Sequence, residues 1–429
     1  MKTRPFGDTI SLEEARAIID RAIEPMTRVE RLALPAANGR VLAETIISSA
    51  DVPPFSRAAM DGYAVRAEDT TDASRSAPRT LHCIETVFTG QVPSKAVGPG
   101  QCTEIATGAP MPAGADAVVM VEETSSDDAS SAIRIFAPVT ASQNIGWQGA
   151  DIRKGQTVLD TGTMLTASRV GALAALGLTD VEVYAKPRVA ILSTGNEIID
   201  PGKPLGPGQI YDINRFTISA VVGEHGGVPV PYKTAVDTLN DLSLAVEECL
   251  EQDVLVFSGG SSVGERDLIL DVISTKGQVL FHGIAVKPGK PTAFGRIRNR
   301  LVFCMPGYPT SCLSNAYILL APALRRIARL PDHVVRTLTL PLGARVVSAA
   351  GRHQFYTVRI EYGAAHSTGS GQAHSTSSGR APSTSSGQAM PAFKASGDIT
   401  SMSRADGYIE IPADVEVVEE GTLVEVKLF

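Results

Sequence analysis

The chain is poor in aromatic residues, which make up 5% of it and include one Trp. That shortage disfavours a surface built to stack nucleobases. A basic excess is also missing: 39 Lys+Arg against 46 Asp+Glu leave a formal charge of −7. Nucleic acid is therefore not expected as the main partner, because phosphate-backbone binding wants a basic surface. Cysteine is scarce and scattered. Cys83, Cys102, Cys249, Cys304 and Cys312 are odd in number and contain no CxxC pair. This argues against a disulfide framework or a zinc site and makes a reducing cytoplasm the expected compartment. No run approaches the ~20 apolar residues of a membrane span. The longest apolar helical stretch, Tyr317 to Leu330, is interrupted by Pro322 and three arginines. The opening MKTRPFGDTISLEEARAIID has no apolar core of signal-peptide length, so neither export nor membrane insertion is expected.

What the chain has in quantity is glycine (39) and proline (27), set in 429 residues of which 43% are hydrophobic. The apolar content excludes disorder as the dominant state, and the length suggests about three domains. Ser11 to Ala22 reads as a helix, with Ser11 as cap and Leu12, Ala15, Ile18 and Ile19 at helical spacing. Between Leu81 and Phe136, short apolar strings alternate with Gly/Pro turns, which predicts a small β-rich module with an exposed hairpin tip at Ser125 to Ser131. Another helix is expected at Ala167 to Leu176. The runs RVAILST, DVLVFSGG and LVFCMPG then each end in glycine or small polar residues. Helical segments around Phe216 to Glu224, Leu239 to Leu250 and Leu268 to Ser274 lie between them, the signature of a mostly parallel sheet covered on both faces. Beyond Leu330 the pattern returns to strands: TLTLPL, FYTVRIEY, GYIEIPA and TLVEVKLF. Within this last part, His366 to Ala389 holds three tandem octapeptides with no apolar side chain larger than Ala or Pro, read as a flexible loop. Its two histidines, eight residues apart, have no rigid frame that would favour a metal.

Parallel sheets bind ligands at the carboxyl ends of their strands, and every such end here carries a small-residue turn. Ser193-Thr194-Gly195-Asn196-Glu197 leaves room for a ligand and sets a carboxylate at the rim, although such a turn alone is weak evidence. Ser258 to Gly264 can offer consecutive N–H groups to a phosphate. Arg266 and Asp267 follow instead of a Walker GK[ST], and Asp267 fits a helix cap as well as a ligand site. Lys287-Pro288-Gly289-Lys290-Pro291 is a stiff cationic loop suited to an oxyanion, with two solvated lysines as the plainer reading. Met305 to Ser311 opens a helix, where Thr310 and Ser311 can cap or bind an anion. Asp61 and Thr107 lie in two further tight turns. With no Cys–His pair and no GxSxG elbow, covalent hydrolysis is disfavoured. The residues by themselves point to an α/β enzyme that handles anions and nucleotides, with a divalent cation held by carboxylates.

In order along the chain, PPFSRAAMDGYAV, ATGAPMPAGADAVV, STGNEI, GQIYDINR, SGGSSVGERD, VKPGKP and MPGYPTS resemble the molybdopterin molybdenumtransferase family, which inserts molybdate into adenylylated molybdopterin. The resemblance implies a multidomain α/β plus β fold in four parts: a discontinuous domain (1–50 and 148–184), an inserted β-rich domain (51–147), a doubly wound, mostly parallel molybdopterin-binding domain (185–330) and a C-terminal β-barrel (331–429) carrying the low-complexity insert 364–390. It further implies a homodimer whose cleft combines the α/β domain of one subunit with the inserted domain of the other, which would bring Asp61 and Thr107 to the sheet.

By motif, Asp61, Thr107, Glu197, Asp237 and Asp267 match the catalytic polar groups, with Glu197 and Asp267 as ligands for Mg²⁺. Tyr211, Asp212, Asn214, Gly259, Gly260, Ser261, Ser262 and Gly264 match the nucleotide and pterin-phosphate contacts. Lys287, Lys290, Pro291, Pro306, Gly307 and Ser311 match the substrate and molybdate pocket, with Arg352 and Ser396 added from the terminal domain. The implied substrates are adenylyl-molybdopterin and molybdate (or tungstate), and the implied protein partners are a second copy and the molybdopterin adenylyltransferase. Two other readings remain open: an adenylyltransferase for molybdopterin and a non-catalytic dimeric scaffold. The chain departs from the family pattern in QNIGWQGADI, which lacks R-x-x-G-E-D, in VDTLND, and at Tyr308, where many relatives have Asn.

Overall fold

The computed structural model describes residues 9–126, 131–235, 238–259, 268–362, 387–393, 395 and 397–429. Two compact units emerge: Val29–Val183, and the segment up to Arg28 together with Tyr184–Phe429. Helix α1 (Leu12–Ala22) starts as expected, Ser11 accepting the Glu14 N–H at 3.1 Å. Its buried face of Leu12, Ala15 and Ile19 packs on the α/β core of the second unit.

In Val29–Val183, one core gathers Leu34, Leu42 and Ile46 with Leu165, Leu173 (on α2, Ala167–Ala175), Val181 and Val183. The same unit holds a six-stranded sheet: β1 (Gly62–Val65), β2 (Arg79–Val87), β3 (Gln101–Ile105), β4 (Ala117–Met120), β5 (Thr124–Ser126) and β6 (Ala132–Ile135). The spatial order is β4-β1-β3-β2-β6-β5. All neighbours are antiparallel except β2 and β3. The β5–β6 pair forms the predicted hairpin, though residues 127–130 at its tip lie outside the described residues.

The second unit carries the mixed sheet β8-β7-β9-β13-β12-β10, built from β7 (Arg188–Ser193), β8 (Val228–Pro231), β9 (Val254–Ser258), β10 (Gly277–His282), β12 (Ala293–Ile297) and β13 (Arg300–Met305); β11 is the short strand Val286–Lys287. Strands β8, β7, β9 and β13 are parallel, and β12 and β10 add an antiparallel edge. Alternation along the strands feeds two cores. Val189, Ile191, Val254 and Val256 face α1, α3 (Asn214–Glu224), α6 (Pro309–Asn315) and α7 (Ala321–Ile327), whereas Ala190, Leu192, Leu255 and Phe257 face α4 (Leu239–Cys249) and α5 (Leu268–Lys276). The helix expected to break at Pro322 instead runs on from α6 through one π-helical stretch, Ala316–Leu320, into α7. There the Ala321 N–H reaches the Ala316 carbonyl, five residues back, just ahead of the proline. Among the described residues, no helix is long and apolar enough to cross a membrane.

Strands β14 (Thr337–Pro341), β15 (His353–Tyr362), β16 (Gly387–Pro391), β17 (Gly407–Ile411) and β18 (Leu423–Leu428) build the terminal sheet, in the order β11-β15-β17-β18-β14 with β16 on β15. Gly343 N–H to Ala389 O (2.9 Å) joins the end of β14 to β16 and closes the barrel around Leu342, Val358, Ala389, Ile409 and Val426. One expectation is corrected here. Gly387, Gln388 and Ala389, the end of the last octapeptide, belong to a strand rather than a loop. Ala389 is small enough to fill the barrel interior, where it is fully buried.

Candidate functional site

The carboxyl ends of β7, β9 and β13 meet at one edge of the sheet, and a cavity of about 370 Å³ opens there. Its size suits a small-molecule ligand. Of the residues singled out in the sequence, Glu197, Tyr211, Asp212, Asn214, Gly259, Pro291, Pro306 and Gly307 all line it. Five motif segments far apart in the chain (STGNEI, GQIYDINR, SGGSSVGERD, VKPGKP and MPGYPTS) converge here, because a parallel sheet delivers its strand ends to the same side.

Local hydrogen bonds hold this edge in place. Asn214, at the start of α3, donates through Nδ2 to Ser258 Oγ at 2.7 Å and to the Gly307 carbonyl at 2.8 Å, tying three segments together. Asp212 accepts the Arg215 N–H at 3.1 Å and is paired with that guanidinium. Tyr211 donates its hydroxyl to the Lys203 carbonyl at 3.0 Å and leaves its ring on the cavity wall. Gly259 has φ +94°, and a Cβ there would stand 2.5 Å from the Thr194 carbonyl oxygen. Only glycine fits at that approach.

Among the described residues, three buried polar atoms on the cavity wall have neither a hydrogen-bond nor an ion partner: Ser193 Oγ, Thr194 Oγ1 and Asn214 Oδ1. Leaving such groups unpaired costs free energy, so their concentration at one cavity marks a place where a polar ligand would satisfy them. The sequence drew attention to the Ser193–Glu197 turn through its carboxylate. The hydroxyls of Ser193 and Thr194, the more telling atoms, carried no sequence signal beyond their place at a strand end. Glu197 lies on the wall, and its carboxylate has no hydrogen-bond or ion partner among the described residues.

The lysine loop is placed differently. Among its residues Pro291 reaches the cavity, while Lys287 and Lys290 do not line it. Lys287 is half-buried in β11, opposite Gln354 of the terminal barrel. Stiffness in the loop comes from more than its prolines: Asn315 Nδ2 donates to the Gly289 carbonyl at 2.9 Å, and Thr292 Oγ1 donates to the same oxygen at 2.9 Å. Gly289 sits at φ +104°, where a Cβ would stand 2.3 Å from Asn315 Nδ2. Register puts Arg352 immediately before the barrel residue opposite Val286, beside the start of this loop. Ser311 is buried at the start of α6. Thr310 does not cap that helix; its hydroxyl donates to the Asp398 carbonyl of the terminal domain at 2.6 Å.

Asp61 and Thr107 meet within the Val29–Val183 unit. The Thr107 N–H donates to Asp61 Oδ1 at 2.6 Å, which holds the exposed carboxyl below its usual range. In the altered QNIGWQGADI segment, Gln148 donates to Asp51 at 3.0 Å. Asp237, Gly260, Ser261, Ser262, Gly264, Asp267 and Ser396 lie outside the described residues.

A second, larger cavity of about 560 Å³ lies elsewhere in the same unit, lined by α1, the last turns of α3 and α7, and the terminal barrel. Its charges are largely paired: Arg326 with Asp20 at 2.9 Å and Lys427 with Glu410 at 2.7 Å.

Comparison with known proteins agrees with this geometry. Residues 10–177 match the MoeA N-terminal region (domain I and II), residues 190–326 a probable molybdopterin binding domain, and residues 382–429 the MoeA C-terminal region (domain IV). A molybdopterin molybdenumtransferase 2 of Mycobacterium tuberculosis is 33% identical over 413 residues, covering 95% of each chain. The chain belongs to the molybdopterin molybdenumtransferase family. A second family member, from Haemophilus influenzae, is 34% identical over 81% of this chain and 86% of its own. The crystal structure of a molybdopterin biosynthesis MoeA protein from Pyrococcus horikoshii superposes with a TM-score of 0.81 at 37% identity, over 98% of this chain and 99% of that one. As a family member, the chain is a transferase of molybdenum cofactor biosynthesis.

Proposed function

We propose that the protein inserts molybdate into adenylyl-molybdopterin and releases AMP, with the 370 Å³ cavity as the seat of the nucleotide and pterin phosphates. The observation that carries this reading is the set of unpartnered polar atoms on the cavity wall. Ser193 and Thr194 would donate to phosphate oxygens, and Asn214, already fixed by Ser258 and Gly307, holds the wall in register. The aromatic ring of Tyr211 and the prolines around Gly307 offer flat apolar surface to a heteroaromatic ring. Lys290, on a loop clamped by Asn315, would position molybdate beside the dithiolene sulfurs, so that insertion becomes effectively intramolecular. The nucleophilic sulfurs belong to the substrate, which agrees with a site rich in hydroxyls and without a thiol on its wall.

Magnesium fits the donor set: Glu197 and the neighbouring hydroxyls are hard oxygen donors, and the Glu197 carboxylate has no other partner among the described residues. Bound there together with Asp267, it would supply charge neutralisation for a pyrophosphate. The homodimer, in which Asp61 and Thr107 would complete a partner's cleft, the cytoplasmic location, docking of the adenylyltransferase and the use of tungstate belong to the same proposal.

AMP release from adenylyl-molybdopterin, measured with molybdate, with tungstate and with neither, tests the reading. Molybdate-dependent release is expected, and it should be lost in Lys290→Ala. Consumption of ATP with molybdopterin, in place of this reaction, would show an adenylyltransferase instead.

A further inference from the structure

The five cysteines look isolated in sequence, yet two of them meet in the fold. Cys83 on β2 and Cys102 on β3 stand directly opposite one another in the one parallel pairing of the inserted sheet. Both side chains face the same core: Cys102 is fully buried within it and Cys83 is packed at its edge, half-buried. Adjacent strands run about 4.8 Å apart, inside the Cα separation of about 4.4–6.8 Å that a disulfide spans. The ladder also shifts register between Cys83 and Glu85, giving the backbone a local irregularity next to the pair. The other three thiols, Cys249, Cys304 and Cys312, are buried on strands and helices of the α/β unit. Cys83 is therefore the thiol that an outside reagent can reach.

The environment of the pair favours reaction at Cys83. The Cys83 S–H donates to the Glu85 carbonyl at 3.4 Å, and the neighbouring Cys102 side chain is the main cause that lowers the Cys83 thiol below its ordinary value, while the Cys102 thiol is pushed up. That direction raises the thiolate share of the reachable Cys83, and the thiolate is the reactive form. The proposed molybdenum insertion uses neither sulfur.

We propose that Cys83 and Cys102 form a reversible dithiol–disulfide site, with Cys83 as the attacking thiol and Cys102 as the resolving one. The Cys83 thiolate attacks a small-molecule disulfide, displacing one thiolate and forming a mixed disulfide. The Cys102 sulfur then attacks the Cys83 sulfur, its proton passing to the second departing thiolate. Two protein thiols are oxidised by two electrons, and one external disulfide is reduced to two thiols. The bridge would lock β3 five residues before Thr107, whose N–H donates to Asp61.

The test treats the intact, native protein with oxidised glutathione at neutral pH, then reads intact mass and peptide linkage. The expected product is two hydrogens lighter than the reduced chain, links the Cys83 and Cys102 peptides, and reverts with dithiothreitol. Cys102→Ala should stop at one glutathione on Cys83, and Cys83→Ser should remain unmodified. A wild-type protein that halts at the glutathione adduct, takes up nothing, or links other cysteines would overturn the proposal, whether or not the variants fold. AMP release by the reduced protein is a separate readout, so failure here leaves the molybdate reading standing, and the reverse also holds.

Discussion

Two cavities in the same unit differ most in how their polar groups are paired. The larger, about 560 Å³, is lined by arginines, a lysine and acidic residues that neutralise one another, as in Arg326–Asp20 and Lys427–Glu410. The smaller, about 370 Å³, has few charges but gathers Ser193, Thr194 and Asn214, each with a buried polar atom that lacks a partner among the described residues. Satisfied groups hold elements together, and unsatisfied ones wait for a ligand. One residue crosses this division: His225, in the larger cavity, is 3% exposed and has no hydrogen-bond partner on either ring nitrogen among the described residues.

The largest effect separating the cavities should come from their carboxylates. Glu197→Gln is expected to lower kcat/KM for AMP release by roughly 100-fold or more, because several kcal/mol of charge stabilisation at a pyrophosphate translate into tenfold per ~1.4 kcal/mol. Asp20→Asn, which breaks the Arg326 pair in the larger cavity, should leave turnover unchanged. Equal losses in both variants would erase the distinction.

A smaller effect has opposite signs for stability and binding. Thr194→Val keeps the shape of a side chain that is 4% exposed but removes a hydroxyl with no partner. The empty protein should gain about 1 kcal/mol, since an unpaired buried hydroxyl no longer has to be desolvated. Binding of AMP should weaken by about tenfold, the worth of one hydrogen bond at a buried site. Thermal unfolding and calorimetric titration would read the two signs. A variant less stable than wild type would mean that the hydroxyl already has a structural task.

Much of this contrast was legible in the sequence, for a physical reason. RVAILS, VLVFS and RLVFCM are apolar on both faces, as parallel strands between two helix layers must be, and each runs directly into its turn. The turns then had to meet at one edge, so Glu197, Gly259 and Gly307 were found together without any knowledge of spacing. Hydrogen-bond accounting was beyond reach. Thr310 read as a cap yet serves Asp398 in the terminal domain, 88 residues away. Lys287 read as part of a stiff cationic loop for an oxyanion, yet it sits half-buried in a strand that pairs with the barrel and does not line the cavity. The Cys83–Cys102 pair was hidden because cysteine spacing along the chain says nothing about register between strands. Long-range pairing decides all three.

The smallest expected effect concerns the residue that blurs the comparison. His225 packs edge-on between Tyr317 and His333, at ring separations of 6.2 and 5.3 Å. Burial is the main cause that lowers its pKa; His333 and Arg325 push the same way and Glu224 opposes them. The unfolded chain takes up a proton near the ordinary histidine value of about 6.5 while the folded ring resists it. Stability is therefore fully present above that pH and is lost as pH falls below it. His225→Phe keeps an aromatic ring in the stack and removes the titration. Its Tm–pH profile should run flatter than wild type on the acid side by about a degree or two, with the curves parallel above pH ~7. Some acid slope should persist, because burial lowers the pKa of His282 in the same sense. A variant that instead lost AMP release would make His225 a ligand-waiting group after all, and the larger cavity a second functional site.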